Sequence, residues 1–319
     1  MVLSHLAQRV GWLGRSRTTD QGRALAGEDD LEQAAVVFGE VRPRLFGIAY
    51  RMLGSATDAE DLVQDVWLRW QAYDRDTVTN PAAFLATTTT RLAINAAQSA
   101  RARRETYVGP WLPEPVDTSA DPHLGAERGE ALEFAVLLLL ERLTPNERAA
   151  YVLREAFDYP YGQIADILQV REPAVRQLVS RARKHVVAGR RTPVSGAEQR
   201  RLLTTFVAAA RSGDLAELEK LFAADVTSYS DGGGVVRASR IPVHGALTVA
   251  RYVRAFKDRF WTGVDVAWSS VNGQPSALLS RDGAVFAVVA VVASADGIDQ
   301  VLWMMNPAKL GAAGAVPSR

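Results

Sequence analysis

Tyr161-Gly162-Gln163-Ile164-Ala165-Asp166-Ile167-Leu168, followed after a turn by Pro173-Ala174-Val175-Arg176-Gln177-Leu178-Val179-Ser180-Arg181-Ala182-Arg183-Lys184, is the stretch from which the fold can be read. Ile164, Ala165, Leu168, Val175 and Leu178 have the spacing of a helix-turn-helix core. Arg176 and Gln177 fall near the start of the second helix, where side chains can reach base edges in a major groove. Arg181, Arg183 and Lys184 suit phosphates. A basic helix face that is merely solvated has the same composition, so this reading needs support from the rest of the chain.

Working upstream, Leu143-Thr144-Pro145-Asn146-Glu147-Arg148 opens a helix, with Thr144 as the cap and Pro145 at the first position. Residues 106–125 carry Gly109, Pro110, Pro113, Pro115 and Pro122 and read as a linker. Residues 29–105 read as helices. Leu31, Ala35, Phe38, Val41, Leu45, Ile48 and Met52 form an amphipathic stripe that Pro43 is expected to kink or divide. Gly54-Ser55 breaks the run. Thr57, with Glu60 three residues on, predicts a capping box for the next helix, which runs to about Tyr73. After a loop, Pro81 predicts a helix start, and that helix extends to Arg104. In the segment Asp58–Arg69, Leu62 and Val66 mark one face; Glu60, Asp61, Gln64 and Asp65 crowd the other. Composition alone also fits a solvated acidic face on a core helix.

Downstream, residues 191–197 are a second linker, with Pro193 and Gly196. Glu198–Ala223 predicts two helices joined at Ser212-Gly213-Asp214. Beyond Asp225 the texture becomes that of strands: Val264–Val271, Ser276–Leu279, Val285–Val292 and Ile298–Met304, with one helix near Ala246–Arg259. Two all-α modules followed by an α+β module is the fold class this order predicts.

Bulk properties agree. At 319 residues the chain suits two or three small domains. No apolar run is long enough to span a bilayer; the longest, near Ala131–Leu140, is interrupted by Glu133. Residues 1–28 lack the apolar centre of a signal peptide and are expected to be a loosely ordered extension. The absence of cysteine excludes disulfides, zinc–thiolate sites and thiol nucleophiles, and suits the cytoplasm. Net charge is only +1, but it is unevenly distributed. Arg91, Arg101, Arg103 and Arg104 form one basic block and Arg171–Arg191 a second. Between them Glu114–Glu133 is acidic. Two basic patches on separate modules point to two DNA-facing surfaces.

With both modules in view, the chain resembles the extracytoplasmic-function sigma factors. Asp58-Ala59-Glu60-Asp61-Leu62-Val63-Gln64 resembles that family's polymerase clamp-helix-binding segment, which implies that Asp61, Gln64 and Asp65 dock on core RNA polymerase. Pro81–Arg104 resembles the promoter-melting helix, and the loop before it sits where the family captures a flipped base. The resemblance implies that Asn80, Arg91, Arg101, Arg103 and Arg104 face the −10 element of promoter DNA. The helix carrying Arg176 and Gln177 resembles the −35 recognition helix. Phe84, Asn95 and Glu172 depart from the usual pattern, Glu172 standing at the cap of the recognition helix.

Residues 198–319 resemble a SnoaL-like domain, with the nuclear-transport-factor-2 cone of helices on a curved sheet. Three motifs mark a subgroup of sigma factors that carries it. They are Trp111-Leu112-Pro113-Glu114-Pro115; Asp231-Gly232-Gly233-Gly234, with Val235 where Lys is usual; and Asn306-Pro307-Ala308-Lys309-Leu310, with Ala308 where Asp is usual. The resemblance implies regulation in cis through Trp111, Leu112, Pro113, Asp231, Gly232, Gly233, Gly234, Asn306 and Pro307. Ion pairs from positions 235 and 308 cannot form here. A glycine-rich turn after Asp231 also fits a plain hairpin. The same cone houses isomerases and cyclases, which need an acid–base residue; the candidates are Asp231, Asp225 and His244, with no second acid placed beside the histidine. The reading is therefore a non-enzymatic factor without cofactor, metal or membrane. A SnoaL-type enzyme fused to a DNA-binding module is the alternative, and a helix-turn-helix repressor a third. Whether a small ligand occupies the cone stays open.

Overall fold

The computed structural model describes residues 17–119, 132–189 and 191–313, with side chains from residue 30 onward. Residues 1–16 of the expected extension, residues 120–125 of the linker and the expected helical start at 126–131 lie outside these.

Three helices form the first module: α1 (Arg17–Leu53), α2 (Ala56–Ala72) and α3 (Pro81–Glu105). α1 begins at Arg17, so residues 17–28 are helical rather than a loose extension. The run is free of proline, so nothing in it removes a helical backbone donor. Pro43 does not divide α1, because buried Phe38 on one side and Leu45, Ile48 and Met52 on the other fix both halves to one core. The stripe differs from expectation at its start, where Ala34 is buried and Leu31 and Ala35 are exposed. Ser55, not Thr57, caps α2, its hydroxyl accepting from the Asp58 amide. Asn80 caps α3 by accepting from the Ala83 amide, and Pro81 takes the first turn.

The second module holds α4 (Phe134–Leu140), α5 (Pro145–Tyr151), α6 (Tyr161–Leu168) and α7 (Glu172–Ala188). Thr144 and Glu147 close a reciprocal capping box at α5. Ile164, Ala165 and Val175 are buried between α6 and α7, and Leu168 and Leu178 are half-buried. Arg171 occupies the cap of α7 and Glu172 lies inside the helix, so Glu172 is not the cap residue. The two modules do not keep separate cores. Residues from Ala34 to Ala97 and from Leu132 to Val186 form one continuous apolar cluster.

The C-terminal module has α8 (Gly196–Ser212), α9 (Leu215–Leu221), α10 (Ala246–Ala255) and α11 (Lys257–Trp261). Its strands are β1 (Phe222–Asp231), β2 (Val243–His244), β3 (Asp265–Val271), β4 (Gln274–Arg281), β5 (Ala284–Ser294) and β6 (Gly297–Met304). They form a sheet in the order β2-β1-β6-β5-β4-β3, in which β1 and β6 run parallel and all other neighbours antiparallel. β1 and β2 were not among the expected strands, and the expected helix 246–259 breaks into two at Phe256.

Alternation along the strands explains how the modules meet. Ala287, Val289 and Val291 of β5 face the module's own helices, with Phe206 and Val249. Val288 and Ala290 face the other way and pack with Leu112 of the linker and Phe134 of α4. The sheet is thus apolar and covered on both sides. Leu112 and Phe134 are wholly buried, and each such side chain contributes about 1.5–3 kcal/mol by leaving water.

Candidate functional site

The linker lies against the C-terminal module, and one carboxylate organises the contact. Asp231, at the end of β1, is fully buried. Its Oδ1 accepts from Tyr107 Oη at 2.5 Å and from the Gly233 amide at 3.1 Å. Its Oδ2 accepts from the Leu112 amide at 2.9 Å and from Lys309 Nζ at 2.7 Å. Lys309 Nζ also donates to the Leu112 carbonyl at 2.6 Å and lies 4.3 Å from the centroid of the Trp111 ring. Asn306 Nδ2 donates to Tyr107 Oη at 2.8 Å. Burial, opposed by the attraction of Asp231, lowers the Lys309 pKa to about 8. Burial and the neighbouring carboxylate push the Tyr107 phenol upward.

Glycine is required at two points. Gly233 has φ +61°, and a Cβ there would lie 2.4 Å from Asn306 Nδ2. Gly54, at φ +65°, would clash with the Trp111 ring at 2.6 Å. Trp111 is also covered by the Arg104 guanidinium, 3.5 Å from its centroid. Of the motif residues, Leu112 and Pro113 are buried and Asp231, Gly233 and Asn306 meet the linker, whereas Pro307 is exposed and opens a short turn. Val235 is exposed, and the ion pair is made by Asp231 and Lys309 without positions 235 or 308.

Several partners of this contact were not singled out from sequence. Glu114 is buried and bonds to the start of α2: its carboxylate accepts from Ser55 Oγ, Thr57 Oγ1 and the Thr57 amide at 3.0–3.2 Å. Thr57 therefore serves the linker rather than its own helix. The Glu114 carbonyl accepts from Tyr50 Oη at 2.7 Å, and Asn272 Nδ2 donates to that same phenol oxygen at 2.6 Å. Asn272 is fully buried at the tip of the β3–β4 hairpin, with φ +54°; its Oδ1 accepts from the Val116 amide at 2.9 Å. The Asn272-Gly273 pair is a hairpin-turn signal that marks the turn but not its burial.

The surfaces expected to meet polymerase and DNA lie outside this contact, with two exceptions. Asp61, Gln64 and Asp65 share an exposed face of α2. Asn80, Arg101 and Arg103 are exposed, Arg103 pairing with Asp58 at 3.6 Å. On α7, Arg176, Gln177, Arg181, Arg183 and Lys184 are all exposed. Arg176 pairs with Glu172 at 2.5 Å, Arg181 with Glu147 at 2.8 Å and Arg183 with Glu155 at 2.7 Å. The exceptions are Arg91 and Arg104. Arg91 donates to the Ile167 and Asp166 carbonyls at 2.9 and 3.1 Å, tying α3 to α6. Arg104 pairs with Glu141 and donates to the Leu53 carbonyl, and burial lowers its pKa to about 9. Arg104 is thereby held between modules with little exposure, whereas the Arg91 side chain stays exposed beside its two carbonyl partners.

A basic helix-turn-helix and a module bearing an exposed acidic helix face, joined by a docked linker, can be compared with known proteins. Residues 37–103 match Sigma-70 region 2, and residues 133–186 match Sigma-70, region 4. Over 287 residues the chain is 36% identical to the ECF RNA polymerase sigma factor SigJ of Mycobacterium tuberculosis, covering 85% of this chain and 91% of that protein. The chain belongs to the extracytoplasmic-function (ECF) RNA polymerase sigma factors. It is also 29% identical over 278 residues to the probable ECF RNA polymerase sigma factor SigI of the same organism, covering 84% and 92% of the two chains. The crystal structure of the M. tuberculosis extracytoplasmic function sigma factor SigJ superposes with a TM-score of 0.71 at 31% identity. It covers 88% of this chain and 99% of that one, so the likeness includes the C-terminal sheet.

In this sigma factor the three acid–base candidates are not gathered at one point. Asp231 faces the linker, Asp225 pairs with Arg191 at 2.7 Å, and His244 is exposed with Nδ1 3.0 Å from Thr227 Oγ1. The cavity inside the C-terminal module is lined by none of them. No helix among the described residues is long and apolar enough to cross a membrane.

Proposed function

We propose that this sigma factor directs promoter-specific initiation and carries its own restraint, the C-terminal module holding the two DNA readers at a fixed separation. Residues 29–105, 126–190 and 198–319 act as the −10 and polymerase module, the −35 module and the regulator. Asp61, Gln64 and Asp65 meet core polymerase by charge complementarity. Asn80, Arg101 and Arg103 serve the −10 element. Arg176 and Gln177 read −35 base edges while Arg181, Arg183 and Lys184 hold phosphates. The factor acts in the cytoplasm, without catalysis and without a cofactor.

The observation that carries the restraint is Asp231, a carboxylate with no exposure whose partners include Tyr107, Leu112 and Lys309. A buried charge with every acceptor site used resists partial release, since freeing one partner strands the rest. The face of α7 stays exposed, so closure works by setting the distance between readers, not by covering them. Opening releases Arg104, which then joins the exposed Arg91 in the DNA-facing set. The test is transcription from a cognate promoter with core polymerase. Asp231→Ala, Trp111→Ala and Leu112→Ala should each raise initiation over the unaltered chain. Equal transcription by all four overturns the restraint. Charge reversal at Asp61 and Asp65 should abolish polymerase binding with circular dichroism unchanged; undiminished binding overturns that assignment.

A further inference from the structure

Between the C-terminal sheet and helices α10 and α11 lies a cavity of about 340 Å³ that opens to solvent, within the range that holds small ligands. Its walls include Tyr252, Phe256, Phe260, Trp261, Phe286 and Trp303. Phe260 is central: its ring centroid lies 5.2 Å from Trp261, 5.4 Å from Trp303 and 5.6 Å from Phe286. Trp303 Nε1 donates to Ser228 Oγ at 3.2 Å, so that donor is already satisfied. This interior suits a flat apolar body.

The charged lining residues are of one sign. Arg237, Arg259 and Arg281 line the cavity, all three are exposed, and no Asp, Glu or His lines it. Arg281 is positioned by bonds to the Phe260 and Thr262 carbonyls at 2.9 and 3.3 Å, with its guanidinium 4.8 Å from the Phe286 ring centroid. The side chains of Arg237 and Arg259 are exposed and make no ion pair or hydrogen bond among the described residues. Like charges around a low-dielectric opening focus a positive potential into it, and a guanidinium matches a carboxylate in a two-point bond.

We infer that this cavity is a receptor site for a small amphipathic anion, an aromatic or alicyclic carboxylate whose ring body fills the interior and whose carboxylate meets the arginines. A neutral analogue would leave the arginines unanswered, and a cationic one would be repelled. The site adjoins the linker contact through the backbone. Ser230 and Met305 line the cavity, and the next residues, Asp231 and Asn306, face the linker; the Met305 amide bonds the Asp231 carbonyl at 2.8 Å. Val236–Ser239 also line it, while the Ser239 carbonyl and Arg240 Cα lie within 4 Å of where a Cβ on Gly109 would sit. Occupation therefore bears on the loop 232–241 that touches the linker, a consequence that rests on the restraint proposed above.

The test titrates the full chain with naphthalene-2-carboxylate, following tryptophan fluorescence and calorimetry, against 2-naphthylmethanol and 2-naphthylmethylamine. The carboxylate should saturate one site and bind at least about tenfold more tightly than the alcohol, the expectation for one charge-assisted contact. The Arg237→Gln/Arg259→Gln variant, altered only at exposed positions, should lose about that same factor. Non-saturable binding, equal affinity for carboxylate and alcohol, or unchanged affinity in the variant overturns the site. Hydrogen exchange should slow across residues 232–241 on saturation. Charge-selective binding without that slowing overturns the link to the linker alone. The restraint itself fails separately, when Asp231→Ala, Trp111→Ala and Leu112→Ala transcribe no better than the unaltered chain.

Discussion

The recognition helix α7 and the docked linker both rest on ion pairs, but their pairs sit in different surroundings. Arg176, Arg181 and Arg183 have side chains 49–60% exposed and face carboxylates on neighbouring turns or helices. Pairs of that kind contribute about 0–1 kcal/mol and are weakened by salt. Phosphates can replace those carboxylates at little cost. Asp231 and Lys309 meet at 2.7 Å with side chains 0% and 12% exposed, and the carboxylate has further donors on both oxygens. There the ions have left water and depend on complete pairing. Elements that must trade partners on DNA keep soft, wet contacts; the element that sets their separation uses a dry one that breaks as a unit.

The strongest way to break this contrast is Asp231→Ala. It strands Lys309 and leaves Tyr107 and the Leu112 amide without an acceptor. The closed arrangement should lose about 3–5 kcal/mol. Small-angle scattering should report a larger radius, and protease cleavage within residues 106–119 should accelerate. A variant that stays compact and resistant would mean that apolar burial of Leu112 and Phe134 holds the linker unaided.

Next in size is base reading. Arg176→Ala should cost about 1–3 kcal/mol of discrimination at one −35 position while binding to scrambled DNA changes little. Equal losses on matched and scrambled sites would remove the division of α7 into reading and anchoring residues.

Much of the arrangement was legible because local signals agreed. Thr144-Pro145 and Pro81 place helix starts by local chemistry alone, and both starts appear in the structure, where Glu147 and Asn80 add capping bonds. Strands β3, β5 and β6 followed from runs that include β-branched residues, and β4 from its short apolar run Ala277–Leu279. What was not legible is non-local. In the sequence Glu114 stands in the linker motif without a role of its own, yet it sits buried at the start of α2, where the macrodipole and free amides favour a carboxylate. Ser55 caps the helix, and the Thr57 hydroxyl donates to Glu114 instead. Asn272 reads as an ordinary turn residue, and its burial depends on a surface supplied by Tyr50 and Val116, far away in sequence. The continuous apolar run of β5 did carry a clue to the interface, since only a strand covered on both faces can be apolar on both. Arg91 and Arg104 illustrate the converse. Their charge pointed to phosphates, but a guanidinium's five donors serve backbone carbonyls equally well.

A pH series sharpens the contrast from the buried side. The Lys309 pKa is lowered from 10.5 to about 8 in the closed form, so closed protein holds that proton less tightly than open protein. Closure is then weakest where Lys309 is protonated in both forms, and it strengthens as pH rises above 8 toward the open-form value. Between pH 7 and 9 the closing equilibrium should tighten roughly tenfold from this group. Arg104, lowered to about 9, works in the same direction at higher pH. Tyr107, raised, opposes closure only once the open phenol begins to ionise. Lys309→Arg, whose charge does not titrate in this range, should flatten the slope in proteolysis or scattering measured across the series. A slope that persists in that variant would assign the effect to another group.

The smallest expected effect tests the wet side directly. Arg181 spans from α7 to Glu147, the residue that closes the capping box of α5, at 2.8 Å with its side chain 55% exposed. Removing it leaves Glu147 still bonded to Thr144, so Arg181→Ala should change unfolding free energy by about 0–1 kcal/mol. On DNA the same substitution removes one phosphate partner. The salt dependence of binding should therefore flatten by about one in slope, on matched and unmatched sequences alike. Lys184→Ala should do the same without touching a carboxylate that caps a helix. If Arg181→Ala instead destabilised the fold by several kcal/mol and left the salt slope unchanged, its pair with Glu147 would be a structural clamp between α5 and α7. The exposed cations of the recognition helix could then no longer be treated as one exchangeable set.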